Sequence, residues 1–507
     1  MLAQNLTLSH KMALALLFCT AGIVLLYLLR PIADPDFFWH LKTGQWILEH
    51  RELPEIDPFS LAPPPIDNLR ASFILTSYWF SQVIYASLFA LGGWWGIVLL
   101  RVALVGVIGA LFASRVDLRQ PAKVCLLLLV TVQILEVYPL ERPQVFSFVF
   151  FTALLVLMEY YREREESDSK TGLFVALVAV LMLFWSNMHG GFLLGQLILM
   201  FYLVMEGVKF FHPSLSPLSR RCYGGLAMIV LAGLVASLFN PNPINSFKIL
   251  FMLGDTETFL FATNMEYSSS LKYFREHRDY SIILNWLMII LVVCRAVITM
   301  RRADITWLAL LAVTAFMGCQ NVRYMPFFLV AAFLFLGKGR YTGTVGTMFK
   351  TVLIVSTFIS VLWFSRDEVQ HVPPIIHGQF GVDQSFPVSA ADFSIQKKLP
   401  DPIYNTYLWG GYLLWRLGPE RKIYSDGRVL DVNRFWEYLS STLGTSSNNP
   451  YWKEIFRKNG IQTAIVQIIE PSGQINPLVN SLRRDKDWIM VFAKDNAAVF
   501  IRKGNAR

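Results

Sequence analysis

Eleven long apolar runs separated by short polar loops leave this chain little choice of fold. They lie near 12 to 30, 94 to 114, 122 to 138, 145 to 161, 173 to 188, 191 to 211, 223 to 239, 281 to 300, 305 to 319, 325 to 337 and 347 to 364. A helix needs about 20 predominantly apolar residues to cross a bilayer, and most of these runs approach that length. With 54% hydrophobic and 16% charged residues, the chain is far more apolar than a soluble domain. It reads as a polytopic α-helical membrane protein. Only Lys11 precedes the first run, and Arg30-Pro31 follows it without a small-residue cleavage site. That run is expected to be a retained span rather than a cleaved signal peptide.

The basic loops decide the topology. The segment 72 to 92, SFILTSYWFSQVIYASLFALGG, is long enough to cross but carries Ser, Gln and Tyr. If it does not cross, the loops SRVDLRQPAK, YYREREESDSK, HPSLSPLSRR, MRRAD and GKGR share the cytoplasmic side, and they hold most of the short-loop positive charge. If it crosses, all of them move outside. The segment is therefore expected to be a juxtamembrane or re-entrant helix pair inside a large first external loop, 31 to 93. The net charge of +9 is explained by these loops, so nucleic acid is not an expected partner.

This topology sends the unusual polar clusters to one external face. They are DPDFFWHLKTG (34 to 44), YPLERPQ (138 to 144), NMHGG (187 to 191), NPNPINSFK with its sequel to 280, and QNVRYMP (320 to 326). Their convergence implies one shared site. The chain after Ser365 lands on the same face, and its composition changes at Arg366, where long apolar runs stop. Strand candidates IYNTY, RKIYSD, TAIVQ, WIMVFA and AAVFIRK alternate there with helical patterns SAADFSIQKKL, NRFWEYLSSTL, YWKEIFRKNG and NPLVNSLRR. We expect a membrane domain over 1 to 365 and a soluble α/β domain over 366 to 507.

Each cluster admits a plain and a chemical reading. Asp36 can cap a helix running to about His50, with Phe37, Leu41 and Leu48 on a face that lies in the membrane interface. Alternatively, Asp34 or Asp36 is a general base or metal ligand with His40 beside it, since carboxylates next to a bilayer are costly to desolvate. Glu141-Arg142 is either a structural ion pair or a site where the guanidinium grips a phosphate. His189 sits at a helix end before two glycines, as a structural residue or a ligand. Arg323 and Tyr324 open a span, where the arginine either snorkels to headgroups or binds phosphate. Gly410-Gly411 marks a strand-to-helix turn, and Asp426-Gly427-Arg428 a strand end, where turn chemistry competes with ligand binding.

Other chemistries find no foothold. The five cysteines, Cys19, Cys125, Cys222, Cys294 and Cys319, show neither pairing nor metal spacing. No G-x-G-x-x-G, P-loop, G-x-S-x-G, H-E-x-x-H or CxxC is present.

A first span, a large external loop opening on the acidic motif DPDFFWHLKTG, about ten further spans carrying ERPQ and NVRY, and a soluble external domain together resemble the GT-C superfamily of integral-membrane glycosyltransferases. The likeness is greatest to the bacterial dolichyl-phosphate-mannose-protein mannosyltransferase-like proteins. The resemblance implies inverting transfer of a sugar from a polyprenyl-phosphate donor to a lipid, glycan or protein acceptor, on the extracytoplasmic side of the bacterial inner membrane. By that analogy Asp36 or Asp34 is the catalytic base, with His40 beside it. By the same analogy Glu141 and Arg142 lie near the donor phosphate; the chemical reading of the other clusters makes His189, Arg323, Tyr324, Asp426 and Arg428 the expected substrate contacts. A divalent cation such as Mg or Mn, if used, would be held by Asp34, Asp36 and Glu141. Two rival readings stay open: a lipid-linked-glycan flippase or polymerase-like protein, and a non-catalytic subunit that binds a partner through its C-terminal domain.

Overall fold

The computed structural model describes residues 8–137, 140–164, 170–248, 267–299, 304–338, 343–369, 372, 381–443, 451–470 and 472–504. Tyr138 and Pro139 of YPLERPQ, residues 249–266 after NPNPINSFK, and parts of three basic loops lie outside the described residues. The chain begins α1 (Leu8–Leu29), α2 (Pro35–His50), α3 (Leu69–Thr76), α4 (Trp79–Gly92), α5 (Trp94–Ala113), α6 (Pro121–Val137), α7 (Gln144–Glu163), α8 (Thr171–Met188), α9 (Phe192–Val208) and α10 (Arg220–Ser237). Longer apolar helices follow at Ser281–Thr299, Ile305–Gln320, Met325–Gly337 and Gly343–Glu368.

Every one of the eleven apolar runs is helical. Among the described residues nine helical stretches are long and apolar enough to cross a membrane. Eight coincide with expected spans, and the ninth is Leu69–Gly92. That ninth stretch is a helix pair, because α3 ends at Thr76 and α4 starts at Trp79. The remaining expected spans are shorter helices of 17, 16 and 13 residues.

The chain forms two compact units. One comprises Met1–Arg30 with Trp95–Phe380, the other Pro31–Trp94 with Gly381–Arg507. The division thus differs from a single boundary at 365/366, since the first loop groups with the C-terminal part of the chain.

In the first unit the helix Met325–Gly337 is buried at all 13 positions. A helix apolar on every side has no face for water, so it becomes the centre of the bundle. Phe327 packs against Phe148 at 4.8 Å and Phe151 at 4.9 Å, and Phe333 against Phe112 at 4.1 Å. Large apolar side chains such as Phe18, Leu99, Leu231 and Ile298 remain exposed on other helices, as a lipid-facing surface requires.

Eight charges inside this apolar unit are gathered into one network. Arg162 donates to Glu159 at 2.6 Å, to Glu206 at 2.7 Å and also to Asp304. Lys209 donates to Glu206 and Asp304, both at 2.9 Å. Lys338 reaches Glu159 at 2.8 Å and Glu163 at 2.6 Å, and the latter also pairs with Arg115 at 2.5 Å. The four acidic groups face four basic ones, so the network carries no net charge. Trp307 and Thr306 add donors to Glu159 Oε2 at 2.6 Å and Glu206 Oε1 at 2.9 Å. Removing one member leaves a buried charge uncompensated, which costs about 3–5 kcal/mol. Arg162→Met is therefore expected to lower the thermal unfolding temperature of the detergent-solubilised chain markedly, whereas an exposed control such as Arg220→Met leaves it nearly unchanged.

The second unit is α/β. Its sheet has the order β1-β2-β4-β3, with β1 (Ile403–Asn405) parallel to β2 (Thr463–Gln467), and β4 (Ala497–Arg502) antiparallel to both β2 and β3 (Trp488–Lys494). Tyr404, Phe456, Val466, Leu478 and Phe500 form its core with neighbouring helices. Four of the five expected strands are present. RKIYSD is not a strand: Ile423 makes only an isolated bridge to Ser60, because the edge that would extend it is taken by a segment of the first loop. All four expected helices form, at Val388–Gln396, Val432–Leu443, Tyr451–Lys458 and Pro477–Arg484.

The helix α2 belongs to the interior of this unit. Phe37 and Leu41 are fully buried while Leu48 is exposed, so the expected interfacial face does not exist as such. Aromatic partners claim it instead. Phe37 meets Tyr85 at 5.7 Å, and Phe38 meets Phe386 at 4.9 Å and Tyr412 at 5.1 Å, edge to face. Each such pair adds about 0.5–1.5 kcal/mol beyond area burial.

Candidate active-site residues

In the second unit the acidic motif is ordered from its first residue. Asp34, not Asp36, caps α2: its Oδ1 accepts the Asp36 backbone N–H at 2.8 Å, and Pro35 takes the first helical position. Proline has no N–H to leave unsatisfied there, which is why D-P-D starts a helix two residues earlier than a cap at Asp36 would. Asp36 is thereby released from capping. Its Oδ1 accepts the indole N–H of Trp39 at 3.2 Å, one turn along the helix.

Three glycines of the C-terminal segment make close approaches, Gly411 and Gly427 to this helix start and Gly410 to the Ser425-Asp426 turn of the segment itself. A Cβ on Gly411 would lie 2.2 Å from the Pro35 carbonyl oxygen, and one on Gly410 2.2 Å from that of Ser425. A Cβ on Gly427 would lie 2.2 Å from Asp36 Oδ1. WGGYLLWRL and SDGR are thus packed directly onto DPDFFW. Tyr407 completes the surroundings; burial, and then the charges of Asp36 and Asp426, push its phenol well above the ordinary range.

His40, expected beside the base, is buried at 3% exposure under Tyr78 and Tyr85. The side-chain amide of Gln82 lies 3.2 Å from its Nδ1. This is a satisfied core histidine. Asp426 and Arg428 are likewise spent on structure. Arg428 donates to both oxygens of Asp426, at 2.8 and 2.7 Å, and to both oxygens of Asp57, at 2.8 and 3.1 Å. Burial would lower the guanidinium, but the two carboxylates raise it above its usual value. Asp57 was not singled out in the sequence, since EIDPFS carries no local signal that a distant arginine will find it.

The other expected residues lie in the first unit. Glu141 is buried and paired with Arg101, which also donates to the carbonyls of Leu28 and Arg30 at 2.8 Å. Burial favours its neutral form, yet Arg101 and then Arg30 hold it below the usual carboxylate range. Its Oε2 is buried without a hydrogen-bond partner among the described residues. Arg142 follows in the same turn, half-buried.

Among the described residues no group of three His, Cys, Asp or Glu side chains is placed to hold a metal ion.

His189 ends α8. Its Nδ1 accepts the Gly191 N–H at 2.9 Å and lies 2.7 Å from the Ser147 hydroxyl, which itself accepts the Trp185 indole N–H at 2.7 Å. Two donors on Nδ1 place the ring proton on Nε2. Burial, and then the charge of Arg323, push the imidazole well below its ordinary value.

Arg323 donates to Tyr267 at 2.6 Å and Gln144 at 2.7 Å. It borders a cleft of about 60 Å³ shared with Glu136, Tyr273 and Asp279. Its neighbour Tyr324 lines a separate apolar groove of about 270 Å³ with Phe151, Leu197, Phe201, Leu310, Met317 and Phe327. A cation therefore stands one residue from an apolar groove, a pairing that suits a lipid phosphate.

No protein-family model matches the sequence, and neither does any curated protein. Solved structures match along nearly the whole chain. The oligosaccharyltransferase AglB of Archaeoglobus fulgidus, in complex with an inhibitory peptide and a dolichol-phosphate, aligns with 98% of this chain and 75% of its own, at a TM-score of 0.56 and 9% identity. ArnT of Cupriavidus metallidurans bound to undecaprenyl phosphate aligns with 96% of this chain and 97% of its own, at 0.52 and 13%. Its apo structure gives 0.51 and 14% over the same coverage. The protein thus shares the fold of these AglB and ArnT structures.

The state of His189 has a pH signature. A folded value below the unfolded one means that the unfolded chain binds more protons as pH falls through about 6.5, so stability is present above that pH and lost below it. Thermal unfolding temperature is expected to drop more steeply from pH 6.5 to pH 5 in the wild-type protein than in His189→Gln, all other titrating groups being common to both.

Proposed function

We propose that the protein is a membrane glycosyltransferase that moves a sugar from a polyprenyl-phosphate donor to a hydroxyl of a lipid, glycan or protein acceptor. The observation that carries this reading is the full-length fold likeness to two proteins solved with dolichol-phosphate and undecaprenyl phosphate. The distribution of basic loops supports an extracytoplasmic site in a bacterial inner membrane, with the C-terminal region on that side.

The chemistry assigns roles residue by residue. Asp36, freed from capping by Asp34, is the general base: its carboxylate accepts the acceptor hydroxyl proton as the new bond forms at the anomeric carbon. Attack from the face opposite the lipid inverts that carbon, and the bond to phosphate oxygen breaks with its electron pair going to the polyprenyl phosphate. The developing negative charge needs cations that are already in place. Within the first unit, Arg323, anchored by Tyr267 and Gln144, is a cation suited to a lipid phosphate, and the groove beside Tyr324 suits part of an isoprenoid chain. His189, neutral and with its proton on Nε2, suits hydrogen-bond donation and not proton shuttling.

Removing a general base costs about 10²–10⁴-fold in rate. Asp36→Asn is expected to lose at least about 100-fold in transfer of tritiated sugar from undecaprenyl-phosphate hexoses in membranes, with protein level and unfolding temperature unchanged. Full activity in that variant removes Asp36 from the catalytic role and favours a non-catalytic subunit.

A further inference from the structure

We infer that Gly427, in the C-terminal segment, is a positioning residue for the Asp36 carboxylate, so that this segment helps set the geometry of the base and does not merely cover it. The inference rests on the proposed role of Asp36.

The three closely packed glycines differ in what they touch. At Gly410 and Gly411 an added Cβ would run into backbone, the Ser425 oxygen with the Asp426 Cα at 2.6 Å in one case and the Pro35 oxygen in the other. Those contacts set the close approach of main chains, and alanine there would force elements apart. At Gly427 the atoms within 4 Å all belong to the Asp36 carboxyl group: Oδ1 at 2.2 Å, Cγ at 3.4 Å and Oδ2 at 4.0 Å. A carboxylate can rotate away where a backbone cannot. Alanine at 427 is therefore compatible with the fold but not with the present position of the carboxylate.

The carboxylate is held from both sides. Trp39, itself 6% exposed, fixes Oδ1 from within α2 by its indole N–H, and Gly427 limits it from the C-terminal segment. Gly427 cannot drift, because its neighbours are the two ends of the Arg428 clamp: Asp426 accepts the Arg428 backbone N–H at 2.9 Å, and the guanidinium is locked onto Asp57. A change at 427 is thus transmitted to Asp36 instead of being absorbed by the loop.

The test uses the purified full-length protein, with Gly427→Ala, Trp39→Phe and Asp36→Asn variants. A cryo-EM structure of Gly427→Ala is expected to show an unchanged backbone with Asp36 Oδ1 beyond about 3.5 Å from the Trp39 indole nitrogen, outside hydrogen-bond reach. Displacement of a catalytic group by about 1 Å can cost about 100-fold, so kcat for transfer from a panel of undecaprenyl-phosphate hexoses should fall by that order while KM stays within about twofold. Trp39→Phe should lower kcat in the same sense by a smaller factor. Three outcomes overturn the inference: Asp36 unmoved in the structure, Asp36 moved with kcat unchanged, or a change confined to KM. If Asp36→Asn is fully active, the proposed role of Asp36 fails, and that failure is separate from an unmoved carboxylate in Gly427→Ala.

Discussion

The guanidinium of Arg428 is the interaction on which the second unit depends. Its side chain is 1% exposed, and it grips Asp57 from the first loop and Asp426 from its own turn. A single buried cation between two carboxylates would be costly if any member were missing, so the two distant chain segments are fastened together or the unit is not formed. The backbone bridges Ile32 to Val382 and Ser60 to Ile423 run alongside it. In the same unit lie the contacts that surround Asp36: the approach of Gly411 to the helix start, and the placement of Gly427 against the carboxylate.

The first unit solves a different problem. Its helices must be apolar to suit a bilayer, yet their loops carry enough charge to set orientation. The charges near one end of α7 and α9 are neutralised among themselves, and Arg101 and Glu141 do the same elsewhere in the unit. Many of the large side chains left exposed in this unit are apolar, and half-buried Arg323 has polar partners in Tyr267 and Gln144.

The helices were legible because length and hydropathy are local properties, and each apolar run became a helix. Four of five strands in the C-terminal segment were legible for the same reason. RKIYSD failed because Ile423 pairs with Ser60, more than 350 residues away, a partner that no local pattern announces. The acidic motif showed itself by composition, but the sequence pattern could not say which aspartate caps. Proline at the first helical position settles it in favour of Asp34, a two-residue shift that turns Asp36 from a cap into a candidate base. Arg428 and His40 looked like site residues because they are polar in suggestive places. Their partners, Asp57 and Gln82, come from sequence-distant elements and are visible only when the chain is folded. Glu141 presented the same ambiguity, and Arg101, conspicuous as a charge within an apolar run, was its answer.

The central claim is that this fold binds a polyprenyl phosphate in order to use it as a leaving group. The most direct measurement is a cryo-EM structure of the full chain with undecaprenyl phosphate. The account predicts the phosphate within hydrogen-bond reach of Arg323 and the isoprenoid chain entering the groove lined by Phe151, Leu197 and Phe327. A lipid phosphate seated away from Arg323, with that groove closed or filled by side chains, would contradict it.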